Sequence, residues 1–458
     1  FPHADVSLAE LDHWQQRHRI AAVFEATVTQ RELMYFNRLN REYQIDQAVY
    51  EVAGPLQPEV LNQAWSLALQ RFEMLRAGFG DQTRRGRPNV FICETLQAPI
   101  AIEDWTDAPP SSLEERMEAL LARERETSFE LDAPPLIRWR LIKLNADEHY
   151  LVQTFNHILF DAWSLGVLFE HWFNDYLTLL EGRAPALEIN RFEPFAAYVR
   201  AHGDDPEAQA FWADYLRGAP VNQRLPLSAA PDAAPQGRRM RQYGAEFTAE
   251  QVASLTAFCR RQGITVNQLT QLAWMLALAE ALACDDIAIG TTMSERPADI
   301  EQVQTLFGLC VASPVLRLQA IRRRPIYALL ADIADSQTLR QKYAFSELNR
   351  YDEQWVPTSP FGSLFVFENM PQPQKDPRLP FTFRVTDIVS GSNHQTVLCL
   401  FPEAERLAIS LFYDSHEIAQ ETIVAVGRRF QAIALAIAHL PPVSEIRAED
   451  GIIQAEEA

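Results

Sequence analysis

Residues 155–164 read FNHILFDAWS: one histidine, His157, stands four places ahead of one aspartate, Asp161, in a run that is otherwise nearly all apolar. A histidine side chain titrates near pH 6.5, so a neutral imidazole can accept a proton at physiological pH. An acid–base group held in position is worth about a hundred- to ten-thousandfold in rate. A buried Asp161 would need a cationic partner, and Arg296 in "SERP", from the other half of the chain, is the candidate. The same residues fit a second account, a buried polar pair that only satisfies itself. Residue types alone leave both readings open.

Other chemistries lack their patterns. No GxSxG surrounds a serine, and HExxH, Walker A and GxGxxG are missing from the sequence. What is left is direct attack by a substrate's own nucleophile, with one histidine assisting and no metal. The five cysteines (Cys93, Cys259, Cys284, Cys310, Cys399) form no CxxC pair and read as reduced core thiols of a cytoplasmic protein. With 61 acidic against 41 basic side chains the formal net charge is −20, which opposes nucleic acid or an anionic membrane face as partner. The most apolar helical stretch, "QLAWMLALAEALA", falls short of the roughly eighteen residues of a membrane span and carries Glu280.

These residues need elements to hold them. "HYLVQTF" alternates as a strand, "NHILFD" is a strand end or turn, and Asp161 or Ser164 can cap a helix beginning near Leu165. "PPLIRWRLIKL" joins that strand through "NADE" as a hairpin, and the helix "WSLGVLFEHWFNDYLTLLEG" ends near Gly182. Upstream, "PEVLNQAWSLALQRFEMLR" (58–76) has helical spacing with Pro58 in its first turn. Residues 1–22 read as a short polar helix set off from the rest of the chain, and the Pro/Ala-rich stretch 225–242 as a surface crossover. Beyond it, helices at "TAEQVASLTAFCRRQG" and from the N-cap Thr265 mix with strands in "DDIAIGTTMS", "FGLCVASPVLRLQ", "FGSLFVFENM" and "RLAISLFYDS". Length and this mixture predict two α/β (α+β) lobes. The boundaries read as 1–22 (extension or linker), 23–182 (N-terminal lobe), 183–244 (connector), 245–445 (C-terminal lobe) and 446–458 (acidic tail).

At residues 156–162 the sequence resembles the HHxxxDG motif of the condensation domains of nonribosomal peptide synthetases, whose superfamily includes chloramphenicol acetyltransferase. "TVTQRELMYF", "QRFEMLRAGF", "EPFAAYVR" with "AQAFWADYLRGAP", "TMSERPADIEQVQTLFGLCVASPVLRL" and "QKYAFSELNRYDEQWVPTSPFGSLFVFENMP" resemble further family segments, in family order over about residues 27–415. The resemblance implies a V-shaped pseudo-dimer of two chloramphenicol-acetyltransferase-like lobes with an active-site tunnel between them. It implies an acyltransferase that takes a donor acyl chain, peptidyl or polyketide, as a thioester on the phosphopantetheine arm of a carrier protein. The acceptor is an amine or hydroxyl on a second carrier protein or a small soluble molecule, and the product an amide or ester. No bound cofactor is implied, since the arms deliver the substrates. By the same resemblance His157 orients or deprotonates the nucleophile, and Asp161, the other member of the catalytic pair, has a structural role, paired with Arg296. Asn156 and Arg296 support the site, and Ala162, Trp163, Ala312 and Ser313 line the tunnel. The protein is expected to be a cytoplasmic monomer.

Three departures from the family pattern stand out. Asn156 occupies the first histidine's place, Ala162 that of the glycine, and Ala312–Ser313 with Pro314 that of an N-T pair and leucine. They keep His157 and Asp161 but alter the lining, which suggests an active enzyme with unusual substrates. The acidic end reads as a C-terminus, giving the expectation of a free-standing or terminal domain that releases a finished chain. Two other functions compete: a coenzyme-A-dependent acyltransferase of the same superfamily, and a platform that docks carrier or partner proteins without turnover.

Overall fold

The computed structural model describes residues 6–80, 87–221, 223–226, 240–294, 296–346, 361–368, 376–403 and 405–441. The acidic tail, most of the 225–242 crossover and the middle of the last family-like segment (347–360) lie outside those residues. Two compact units divide the chain. The first draws on Phe1–Gly203, Glu295–Val311 and Met370–Gly391, the second on Asp204–Ser294, Ala312–Asn369 and Ser392–Ala458. Each unit is therefore discontinuous, which differs from lobes drawn along the chain. The stretch expected as a connector divides between them: α6 (Glu193–Gly203) closes the first unit's main segment, and α7 (Pro206–Tyr215) opens the second.

The first unit is built on a five-stranded sheet. In spatial order its strands are β14 (Thr382–Val389), β2 (Ile45–Ala53), β7 (Glu148–Asn156), β6 (Ile137–Lys143) and β5 (Ala101–Asp104). The hairpin β6–β7 is antiparallel, as the two alternating runs predict. Alternation sends neighbouring residues to opposite faces. On one face, Val49 of β2 and Val152 of β7 meet Leu120 and Leu121 of α4 (Leu113–Glu126). On the other, Tyr50 sits edge-on to Phe169 of α5 (Ala162–Leu180), and Trp139 meets Trp172 at 4.9 Å and Trp65 of α3 (Pro58–Arg71) at 5.8 Å. Truncating one such fully buried indole costs about 3–5 kcal/mol, so this aromatic layer holds α5, and with it the start of α5, against the sheet.

A smaller sheet, β1 (Ile20–Glu25), β4 (Asn89–Cys93) and β3 (Ala77–Gly80) in that order, carries α1 (Leu8–Gln15). Trp14 of α1 is buried and stacks on Phe91 at 4.6 Å, and a Cβ on Gly80 would collide with the Trp14 ring. The expectation of a polar helix set off from the rest is corrected here. Trp14 and Leu11 of α1, with Val6 ahead of it, give the helix an apolar side that docks on Phe91 and its neighbours, and β1 begins at Ile20, inside the stretch read as an extension.

The second unit's sheet has six strands. Their order is β12 (Val315–Gln319), β9 (Asp286–Thr291), β13 (Ser363–Phe367), β15 (Thr396–Pro402), β16 (Leu407–Asp414) and β8 (Met240–Phe247). The helices α8 (Ala249–Gln262), α9 (Val266–Ala281), α10 (Ile326–Lys342) and α11 (Gln420–Ala438) share one core with it. Thr265 caps α9 in a reciprocal box with Gln268, at 3.1 and 2.9 Å, as its place ahead of an apolar run predicts. The short strands β10 (Met293–Ser294) and β11 (Val311–Ala312) flank residues 296–310, which belong to the first unit.

Candidate active site

β2 and β7 run antiparallel with Asp46 opposite Phe155 and Ile45 opposite Asn156. The ladder continues one step past β7, where the His157 N–H donates to Gln44 O at 2.8 Å. His157 is thus the first residue beyond the strand, with its backbone held by the sheet. Asn156 is buried and tightens the turn beyond it. Its Oδ1 accepts from the Ile158 N–H at 3.1 Å, and its Nδ2 donates at 3.3 Å to Oδ1 of Asn37 on α2 (Val28–Leu39). An amide in that place therefore meets both a donor and an acceptor.

Asp161 caps α5, one turn earlier than the Leu165 start read from the sequence. Its Oδ1 accepts from the Ser164 N–H and from Ser164 Oγ, each at 2.8 Å. Two further groups complete its shell. Arg296 Nη2 donates to Oδ1 at 3.1 Å, and the Cys310 N–H donates to Oδ2 at 2.9 Å. Both side chains of the ion pair are only 4% exposed. Arg296 also donates through Nη1 to Val303 O and Leu306 O, and its guanidinium lies 5.3 Å from the Trp163 ring. Trp163 Nε1 donates to Gln304 O at 2.9 Å, and Ser164 Oγ exchanges bonds with Gly308. The expected pairing of Asp161 with Arg296 is present: Arg296 comes from the other half of the chain, as expected, but belongs to the same compact unit as Asp161 and not to a lobe over 245–445. The pair clamps the 296–310 segment onto the start of α5. Burial, with the Asp161 charge adding to it, pushes the Cys310 thiol well above its ordinary pKa, so this cysteine stays a protonated core thiol.

The His157 side chain is 39% exposed. Its Nδ1 lies 2.8 Å from Oδ2 of Asp46, a residue sequence reasoning did not single out. The contact becomes an ion pair when the imidazole is protonated. The signal that could have found Asp46 was register: a strand over "IDQAVYEV" paired with "HYLVQTFN" makes Asp46 and His157 diagonal neighbours on one face. Ala162 and Trp163 are half-buried in the first turn of α5. Ala312, buried, and Ser313, half-buried, belong to the second unit. Among the described residues no cluster of three or more His, Cys, Asp or Glu is arranged to hold a metal ion, and no helix is long and apolar enough to cross a membrane.

Against known proteins, the family model described as "Condensation domain" matches residues 21–455. A linear gramicidin synthase polypeptide of Brevibacillus parabrevis is 25% identical over 423 residues, covering 89% of this chain and 5% of its own length. A second from the same organism is 25% identical over 450 residues, covering 96% of this chain and 9% of its own length. The chain thus spans less than a tenth of the curated relatives it matches there. Among solved structures, the first condensation domain of the calcium-dependent antibiotic synthetase, in complex with a substrate analogue, superposes with a TM-score of 0.75 at 16% identity, over 92% of this chain and 97% of that one. The X-domain in complex with OxyB from teicoplanin biosynthesis gives 0.75 at 20% identity, over 94% and 97%. These superpositions establish the fold, which is that of condensation domains.

Proposed function

We propose a reaction for this chain from one premise: it belongs to the condensation-domain family, whose members are acyltransferases that join carrier-bound substrates into amide bonds in nonribosomal peptide synthesis. The donor is an acyl or peptidyl thioester on a carrier protein's phosphopantetheine arm. The acceptor amine attacks the thioester carbonyl carbon and the C–S bond breaks. The proton lost by the nitrogen passes to His157 and from there to the departing sulfur, giving an amide and a free carrier thiol. A thioester is already activated, so most of the acceleration comes from holding both arms together, with the base adding about a hundred- to ten-thousandfold. Asp161 and Arg296 act as the clamp that holds the start of α5, and take no part in proton transfer. Chain release onto a soluble amine or hydroxyl is the finer form of this reading, with His157 more heavily used because a hydroxyl is the weaker nucleophile.

One observation carries the proposal. Of the polar groups in the 155–164 turn, His157 alone presents an ionisable ring to the surface of its unit, while Asn156, Asp161 and Ser164 are buried and satisfied within it. Equal superposition on a substrate-analogue complex and on an X-domain leaves catalysis and docking undivided, so the test must read turnover. Acyl groups are offered on a holo carrier protein, on coenzyme A and on short pantetheine, with amine and alcohol acceptors, and products are followed by mass spectrometry. Product from the carrier-bound donor, at rates well above coenzyme A, supports the reading. Equal use of free acyl-CoA points to the wider superfamily's chemistry, and binding of carrier protein with no product under any donor contradicts catalysis.

A further inference from the structure

The base of the proposed reaction has a carboxylate beside it that belongs to none of the motifs. Asp46 lies on β2, opposite Phe155, and the continued ladder from Gln44 to His157 places the two side chains on one face of the sheet. Asp46 Oδ2 stands 2.8 Å from His157 Nδ1. The other oxygen is already engaged: Oδ1 accepts from Ser390 Oγ at 3.1 Å and from the Gly391 N–H at 2.9 Å. A Cβ on Gly391 would fall within 3 Å of the Glu42 and Tyr43 carbonyls, so the turn after β14 lies flat against the segment leading into β2. Two donors on one oxygen fix the plane of the carboxylate and leave the other oxygen turned to the imidazole, which is 39% exposed against 13% for Asp46.

We propose that Asp46 is the positioning residue for His157: its carboxylate holds the Nδ1 side of the ring and stabilises the imidazolium formed when His157 takes the acceptor's proton. The inference rests on His157 being the base. An opposite charge within about 4–6 Å favours the charged form of a histidine, the form a general base reaches when it has taken the proton. Asp46 touches both His157 and the Ser390–Gly391 turn, so the test must separate an effect carried by the imidazole from one carried by the turn.

The test is Asp46→Asn, which keeps an oxygen for Ser390 and Gly391 and removes the charge. Carrier-bound turnover is measured for wild type, Asp46→Asn, His157→Ala, the double variant and Ser390→Ala. Asp46→Asn is expected to lower kcat about tenfold with KM within about twofold, and to cost nothing further when His157 is already alanine. Ser390→Ala, which removes one of two donors to Oδ1, is expected to cost less than Asp46→Asn. Wild-type kcat in Asp46→Asn overturns the inference while leaving His157 as base. The same holds if the cost of Asp46→Asn persists in the His157→Ala background, or if Ser390→Ala matches it, since Asp46 would then act through the turn. Full activity in His157→Ala removes the base itself, and the inference falls with it.

Discussion

At the β7 end of the turn, His157 keeps 39% of its side chain exposed, with one carboxylate at Nδ1. At the α5 end, Asp161 and Arg296 keep 4% each and spend their bonds on Ser164, Cys310, Val303 and Leu306. Four residues apart in sequence, the two polar groups have opposite fates. The difference teaches that a fixed spacing in a motif need not mean a shared role: a strand end presents its next residue, whereas a helix N-cap consumes its own carboxylate. The two are therefore separated by what their loss would damage, rate at one end and stability at the other.

The largest effect belongs to His157. Replacement by alanine is expected to lower kcat by about a hundred- to ten-thousandfold, with the thermal midpoint within about 2 °C of wild type because little packing is lost. Asp161→Ala should reverse that signature. Removing one partner of a buried pair leaves Arg296 uncompensated, at a cost of about 3–5 kcal/mol, read as a shift of the urea midpoint. If the midpoint is unmoved, the clamp is not structural and the contrast collapses.

A second histidine calibrates the comparison. His394, in the second unit, is buried, stacked on Phe361, and burial pulls its pKa down to about 4. It is neutral in the fold, while in the unfolded chain it binds a proton below about pH 6.5. The unfolded state thus holds more protons between those values, so this contribution is intact above about pH 6.5 and is lost as pH falls toward 4. A depression of that size amounts to about 3 kcal/mol. His394→Gln should flatten stability against pH across that window, measured by denaturation at about pH 7 and about pH 4.5; an unchanged slope would show that His394 is not the group responsible. The smallest effect is that of Ala162→Gly, which restores the family's residue at the first position of α5 and should cost at most about 1 kcal/mol of stability. A larger loss would mean that the Ala162 methyl itself helps to hold the helix start.

Much of this was legible in the sequence because it is local. The β6–β7 hairpin, the Thr265 cap, the Asp161 cap and the helix after it come from spacing and from residue types within one turn. The Asp161–Arg296 pair was legible through charge balance, since a carboxylate in apolar company demands a cation, although its unit was not. What stayed hidden depends on register and on chain return. Asp46 meets His157 only if β2 and β7 pair in one particular register, and a slip of one residue would turn it to the opposite face. The same holds for 376–391, which leaves the second half of the chain to add β14 beside β2 and deliver Ser390 and Gly391 to Asp46. No local pattern announces that return. Trp14 was missed for a different reason: the few apolar side chains that dock α1, Trp14 with Leu11, are diluted in a helix whose average polarity suggested solvent.

The most direct test of the central claim is a single-turnover assay of acyl transfer from a loaded carrier protein, comparing wild type with His157→Ala at equal folded fraction. The expected result is that the donor thioester is consumed and amide appears with wild type, while the folded variant shows a rate lower by at least about a hundredfold. Transfer at the wild-type rate by folded His157→Ala would contradict it, and would return the histidine of the 155–164 turn to a purely structural place.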